Sequence, residues 1–281
     1  MAFRMFVDAD GVPYSDYGVY RGLSIGRQRS ILAAAERGLW YWNQFFRRDE
    51  APVLLSYDWT KWPANFDEFR PSGQAEARRM LLCCADWLLA NVERRDGFRV
   101  WVYTYPFSYD TGPGWRSAHA QAVGAQLLAR AAEVSGDAAY AAPLDDLLAA
   151  FPVDVASGGL STRTAAGNLW FEKMADPGNQ QPKVLNGLLF AVLGLLDVGT
   201  RAASPVAAEL AASGMAAALE LMPRFDLGDW SAYDIHGRRA SRHYHAIHVR
   251  QLAILSRVDP AFAPWRARFE AQAQPAPDAG G

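Results

Sequence analysis

Apolar residues at positions 31, 35, 39, 42 and 46 recur at helical spacing, so "RQRSILAAAERGLWYWNQFF" (27–46) predicts a helix that buries Ile31, Ala35, Leu39, Trp42 and Phe46. Leu81, Ala85, Leu88 and Val92 continue the same spacing in a second helix. Further helices are expected over 114–135, 138–151, 183–199, 204–222, 241–257 and 259–272, with Ser204-Pro205 and Asp259-Pro260 as cap-then-proline starts. The pattern therefore predicts about eight helices.

The joins between them are uneven. Only a few residues separate the third helix from the fourth, the fifth from the sixth and the seventh from the eighth, which implies antiparallel hairpins. The segments 95–113, 152–182 and 223–240 are long, rich in Gly, Pro, Trp and Tyr, and each precedes an odd-numbered helix. If the hairpins close into a ring, these loops share one rim with the N-terminal ends of the odd helices, whose free N–H groups and positive dipole ends suit an anionic ligand. Within the first loop, "RVWVYTYPFSYD" alternates with period two and puts Trp101, Tyr103, Tyr105, Phe107 and Tyr109 on one face, either to stack on sugar rings or to pack on helix ends.

Composition narrows the classes. The chain has 281 residues, 51% of them hydrophobic, enough for one large globular domain. Its 28 basic against 30 acidic groups predict no pull on nucleic acid or a membrane surface. Nearly all the basic residues are arginine, which favours bidentate contacts with carboxylate or phosphate. The opening residues show no signal-peptide pattern. The longest apolar stretch, "VLNGLLFAVLGLLDVG", is broken by Asn186, Gly187 and Gly194, so no membrane span is expected and the cytoplasm is the default compartment. Cys83 and Cys84, adjacent in a helical context, read as free buried thiols. Residues 1–272 are expected to form a single domain and 273–281, within the stretch "AQAQPAPDAGG" (271–281), a mobile tail. A homodimer is compatible with all of this.

The stretch "SRHYHAIHVRQL" (241–252) gathers three of the chain's five histidines. Metal ligation fails on spacing, because positions 243 and 245 of a helix point to nearly opposite sides whereas clustered ligands want intervals of three or four. No metal is expected. The same spacing aligns Tyr244, His248 and Gln251 on one stripe. Taken alone, Tyr244 and the histidines read as hydrogen-bonded core residues.

Five motifs change that reading: "GWRSAHAQA" (114–122), "LWFEK" (169–173), "KVLNGLLFAVLGLLD" (183–197), "FDLGDWSAYD" (225–234) and "RHYHAIHVRQL" (242–252). In this order they resemble the C-terminal domain of the D-glucuronyl C5-epimerases, across roughly 114–270; "YGVYRGLSIGRQRSILAAAERGLWYW" is similar, more weakly, to the opening of the eukaryotic catalytic region. The resemblance implies an all-α fold, an α/α toroid or incomplete barrel of helical hairpins, with short β-hairpin segments in the loops on one rim. It also implies an isomerase that inverts glucuronate to iduronate within an anionic polysaccharide or oligosaccharide, without a cofactor. Removing a proton next to a carboxylate requires that charge to be neutralised while a base is held at the C–H bond, and inversion requires a proton from the opposite face. The resemblance maps the catalytic tyrosines to Tyr244 and Tyr233 and the carboxylate to Glu172. Arg242, Arg238 and Asn186 are expected at the substrate carboxylate, with Trp115, Trp170, Gln121 and His248 around the sugar. Where the family commonly has Trp-aromatic-Glu-Glu-Tyr, this chain has Lys173 and Met174 in the last two places. That departure leaves a uronate lyase, which begins with the same proton abstraction, and a catalytically silent glycan-binding domain as alternatives.

Overall fold

The computed structural model describes residues 4–47 and 69–273. The expected tail beyond residue 273 lies outside them. Among the described residues there are eight α-helices: α1 (Ile31–Phe45), α2 (Gln74–Ala90), α3 (Ala118–Ser135), α4 (Leu144–Leu148), α5 (Leu185–Arg201), α6 (Pro205–Leu221), α7 (Arg242–Val258) and α8 (Ala263–Gln272). The expected helix over 138–151 is shorter than predicted: a 3-10 turn at Ala138–Tyr140, then α4 alone.

Packing follows the odd–even division. Helix α1 lies on α3, α3 on α5 and α5 on α7, while α2, α6 and α8 each pack on the odd helix preceding them. Helix α5 owes its central place to sequence: Leu185, Leu188, Leu189, Phe190, Val192, Leu193 and Leu195 are all buried, so it is apolar on every side. Each such side chain contributes about 1.5–3 kcal/mol by leaving water. Leu189→Ala would cost about 2–5 kcal/mol. By length and composition Pro205–Phe225 is apolar enough to cross a membrane. Here its Ala207, Leu210, Ala211 and Gly214 face is buried in the packing on α5.

Among the described residues ten short strands precede or join the helices. Strands β1 (Arg4–Val7), β2 (Pro13–Asp16) and β5 (Arg27–Gln28) form an antiparallel sheet before α1, and β3 (Val19–Tyr20) pairs with β4 (Leu23–Ser24). The helix expected from residue 27 therefore starts at Ile31, where Ser30 caps it by accepting from Ala33 N–H. Strands β6 (Val92–Arg95), β7 (Phe98–Tyr103) and β8 (Trp115–Arg116) form a second antiparallel sheet. Val92, expected on a helical stripe, instead opens β6, because α2 ends at Asn91 and the Asp96-Gly97 turn, with φ +79° at Gly97, folds the chain into a hairpin. Strands β9 (Ser161–Arg163) and β10 (Leu169–Phe171) make a third pairing.

Candidate active site

A cleft of about 600 Å³ opens where the starts of α1, α3 and α7 come together. Their cap residues Ser30, Ser117 and Ser241 all line it, each accepting from a backbone N–H of its own helix's first turn. One part of the lining is an aromatic block carried by the loops before α1 and α3. Tyr103 stacks on Trp115 with centroids 3.9 Å apart, Phe107 lies parallel to Trp115, and Tyr17 packs on Tyr105. The Tyr105 hydroxyl donates to Tyr17 Oη at 3.3 Å, and Trp115 Nε1 is tied to Tyr105 O at 2.9 Å. Tyr103, Tyr105 and Phe107 of the period-two row thus reach the cleft, whereas Trp101 is buried behind it, its Nε1 donating to Leu88 O, and Tyr109 turns to Asp234 instead.

The other part of the lining bears charge. It is made by the residues after β10, by the 231–240 loop and by the first turn of α7. Tyr233 is fixed by its backbone: its carbonyl accepts from Leu185 N–H at the start of α5, and its N–H donates to Arg238 O. Its ring lies 4.6 Å from that of Tyr244, close enough for each hydroxyl to influence the other's titration. Lys173 Nζ sits 5.5 Å from both ring centroids, 3.2 Å from Tyr233 Oη and 3.4 Å from Asn186 Oδ1. The Lys173 stem crosses the first turn of α5 at Gly187, where a Cβ would come within 2.4 Å of Lys173 Cβ. The adjacent Asn186 and Gly187 thus serve one lysine, the first by accepting and the second by leaving room.

Charge is disfavoured throughout this corner. Burial lowers the Lys173 pKa, against the opposing pull of Tyr244 and Glu36, and Arg238 lowers it further. Burial raises the Tyr233 pKa. The largest influence on Tyr244 is the downward pull of Lys173, but burial and the Tyr233 hydroxyl outweigh it, so its pKa is raised as well. Arg238 lies 4.6 Å from the ring centroids of both Tyr109 and Tyr233, with its Nε 3.1 Å from Asp234 Oδ2. Tyr109 donates to the same carboxylate oxygen at 2.6 Å. With five N–H donors, Arg238 has some to spare for an anion in the cleft.

Of the residues predicted for the site, Tyr244, Tyr233, Trp115 and Arg238 line the cleft, as do Ser117 and Arg239. Glu172 does not. Following Phe171 and preceding Lys173, it points to the other side of the chain, where Oε1 accepts from Thr162 Oγ1 at 2.7 Å and from Lys183 Nζ at 3.3 Å, and Oε2 accepts from Lys183 N–H. Burial raises its pKa, offset by Lys183 and Thr162. Arg242 is exposed and Trp170 is buried, stacked on Phe225 at 5.5 Å. Gln121 is consumed by Trp101 N–H, Arg99 O and Leu147 O. Asn186 reaches the site only through Lys173, its backbone carbonyl accepting from Gln251 Nε2.

The histidines diverge as helical spacing requires. His243 lines the cleft, whereas His245 and His248 are buried and share Ser231 Oγ through their Nδ1 atoms at 2.8 and 2.9 Å. Burial pushes His248 down to about 3. Residues missed by the sequence reading are Tyr17, Tyr20, His243 and above all Lys173, which was read as a loss of acidity rather than as a group with chemistry of its own.

Comparison with known proteins places these observations. Residues 95–266 match the family described as D-glucuronyl C5-epimerase C-terminus. The chain is 34% identical over 177 residues to an uncharacterized protein of Methanocaldococcus jannaschii, covering 61% of this chain and 57% of that one. It is 30% identical over 196 residues to the D-glucuronyl C5-epimerase of Caenorhabditis elegans, covering 62% of this chain and 31% of the worm enzyme. It thus spans only part of either relative. The crystal structure of a D-mannose isomerase superimposes with a TM-score of 0.53 over 90% of this chain and 62% of that one, at 12% identity, a likeness of fold.

Proposed function

This chain belongs to the D-glucuronyl C5-epimerase C-terminus family, and from that premise we propose that its cleft inverts C5 of uronic acid residues, glucuronate to iduronate in type, within an anionic polysaccharide or oligosaccharide. We read the row of odd helices backed by even ones as an incomplete α/α barrel, a reading supported by the fold likeness to D-mannose isomerase. The observation that carries the functional proposal is that Tyr233, Tyr244 and Lys173 meet in one cleft beside Arg238.

Each part then has a task. The Tyr103–Trp115 and Tyr17–Tyr105 faces stack on sugar rings. Arg238 and the helix starts hold the uronate carboxylate, and that neutralisation makes the C5 proton removable. Tyr244, with Tyr233 behind it, exchanges the proton on one face of the sugar. A hydroxyl of the hydrogen-bonded Tyr17–Tyr105 pair serves the other. Such a site needs no redox or electrophilic group.

The test is to incubate the protein with glucuronate-containing polymers in deuterated water and follow deuterium at C5 by NMR. Incorporation at C5, with the new epimer appearing, is expected. Ultraviolet-absorbing unsaturated ends would show elimination instead, and binding of polymers by folded protein with neither signal would show a glycan-binding domain.

A further inference from the structure

We propose that Lys173 is the terminal acceptor of a proton relay running from the substrate's C5 through Tyr244 Oη and Tyr233 Oη to Lys173 Nζ. The inference rests on the C5 reading above for its substrate, while the titration of the amine can be tested without one. It gives a role to the residue standing where the resemblance expects an acid.

Three observations carry it. The order of contacts is continuous: the Tyr244 and Tyr233 rings lie 4.6 Å apart with Nζ 5.5 Å from both, and Tyr233 Oη lies 3.2 Å from Nζ, a contact that runs either way, the ammonium donating or the neutral amine accepting. Among the described residues no carboxylate is hydrogen-bonded to the amine; its partners are the Tyr233 phenol and the Asn186 amide oxygen. Finally, residue choice is telling. The chain holds only three lysines, Lys61, Lys173 and Lys183, among its 28 basic residues. Where a permanent charge suffices it uses arginine, and what lysine alone adds is an amine that can become neutral.

Burial favours that neutral form, aided by Arg238 and opposed by Tyr244 and Glu36. Tyr244 and Tyr233 face it from α7 and the preceding loop, Arg238 from the same loop, Glu36 from α1, His119 from α3 and His248 from α7. Burial keeps both histidines neutral, so of these groups only Glu36 and the tyrosines oppose the effect of burial.

The step balances. The C5–H bond breaks as its proton bonds to Tyr244 Oη, the Tyr244 hydroxyl proton passes to Tyr233 Oη, and the Tyr233 proton passes to Nζ. Both phenols end neutral and the amine becomes an ammonium. The C5–H electron pair moves into the adjacent carboxylate, giving an enediolate beside Arg238. A Tyr17 or Tyr105 hydroxyl then donates the proton of the new C5–H bond, and its phenolate recovers one from the ammonium through solvent.

The experiment has two arms. In the first, C5 exchange is followed against pH for the wild type, Lys173→Arg, Lys173→Met and Lys173→Glu, with circular dichroism establishing that each folds. The wild type should lose rate on the acid side as the amine protonates. Arg, which cannot become neutral, and Met should lose roughly 100-fold or more at every pH. Glu should recover exchange, with its acid limb moved to lower pH. Arg retaining the wild-type rate and profile would overturn the relay. In the second arm, lysine labelled with ¹³C at Cε is titrated by NMR in the full chain, with Lys173→Arg assigning the signal. Lys173 should titrate below the ordinary value of about 10.4 and shift in Tyr233→Phe. Titration at or above that value overturns the relay whatever the substrate. Should the wild type exchange no uronan, the C5 reading falls and the relay with it, whereas exchange by the wild type with Lys173 titrating at or above the ordinary value overturns the relay alone.

Discussion

Glu172 and Lys173 are neighbours in sequence and opposites in circumstance. The carboxylate of Glu172 is fully enclosed, with both oxygens bound by Thr162 and Lys183, while Lys173 faces the cleft and meets phenols and an amide. The difference comes from where β10 ends: Glu172 follows the strand and stays against Thr162 of β9, whereas Lys173 opens the turn that brings it and Met174 to the cleft. It teaches that an acid in a catalytic motif is not thereby a catalytic acid. Lys183, held at a backbone φ of +46°, clamps Glu172 into the wall behind the site. Of the two neighbours, only Lys173 lines the cleft.

The sharpest way to break the comparison is to remove one group from each side. Tyr244→Phe should lower C5 exchange by roughly 10²–10⁴-fold with little change in Tm, whereas Glu172→Gln should leave exchange within about tenfold of wild type. Equal losses in both would put Glu172 back into the chemistry. Next in size is a stability effect on the enclosed side. Glu172→Ala strips Lys183 and Thr162 of their partner and should cost about 2–3 kcal/mol, a drop in Tm of about 5–10 °C in calorimetry. An unchanged Tm would mean the enclosed carboxylate is no strut.

The helices and their order were legible in the sequence because apolar periodicity is a local signal that tertiary packing here reinforces. The convergence of helix starts was legible in part: Ser117 of α3 and Ser241 of α7 line the cleft together with Ser30 of α1, whereas the α5 start reaches it only through Lys173. The sheet before α1 was not, since its strands are only two to four residues long and too short to show alternation. Tyr233, Tyr244, Trp115 and Arg238 came from motif and loop position. Glu172 was expected at the cleft and Lys173 was read as a lost acid, whereas Lys173 lines the cleft and Glu172 lies behind it, because spacing along the chain does not fix which side chain turns inward. Gln121 and Trp170 were expected at the sugar and are instead bound within the core; a polar or aromatic residue one helical turn from a site looks the same in sequence as one in it.

A smaller effect separates the two lysines by pH. Burial lowers the Lys173 pKa, so the folded protein binds that proton less tightly than the unfolded chain does. Stability then rises with pH between the folded value and about 10.4, and below that window the residue is a net cost. Lys173→Met should therefore be more stable than wild type in urea at neutral pH, with the gain shrinking as pH approaches about 10.4. Lys183→Met should be less stable, because it leaves Glu172 buried without its ion pair. A Lys173→Met variant no more stable at pH 7 than wild type would contradict the cost assigned to its burial.

The smallest contrast lies between two arginines four positions apart. Arg238 is held between Tyr109 and Tyr233 and lines the cleft, so its guanidinium is oriented before any anion arrives. Arg242, in the first turn of α7, is exposed and does not line the cleft. A preorganised fork loses little entropy on pairing with a carboxylate, whereas a free surface arginine gains little against solvent screening. Arg238→Ala should raise KM for a uronate polymer by about tenfold, the equivalent of about 1.4 kcal/mol, and leave kcat closer to wild type. Arg242→Ala should change KM by no more than about twofold at physiological salt. If the two variants instead raise KM alike, and alike lose the effect as salt increases, the carboxylate is drawn in by the general field of the α7 start rather than gripped by the one arginine that the aromatic rings hold in place.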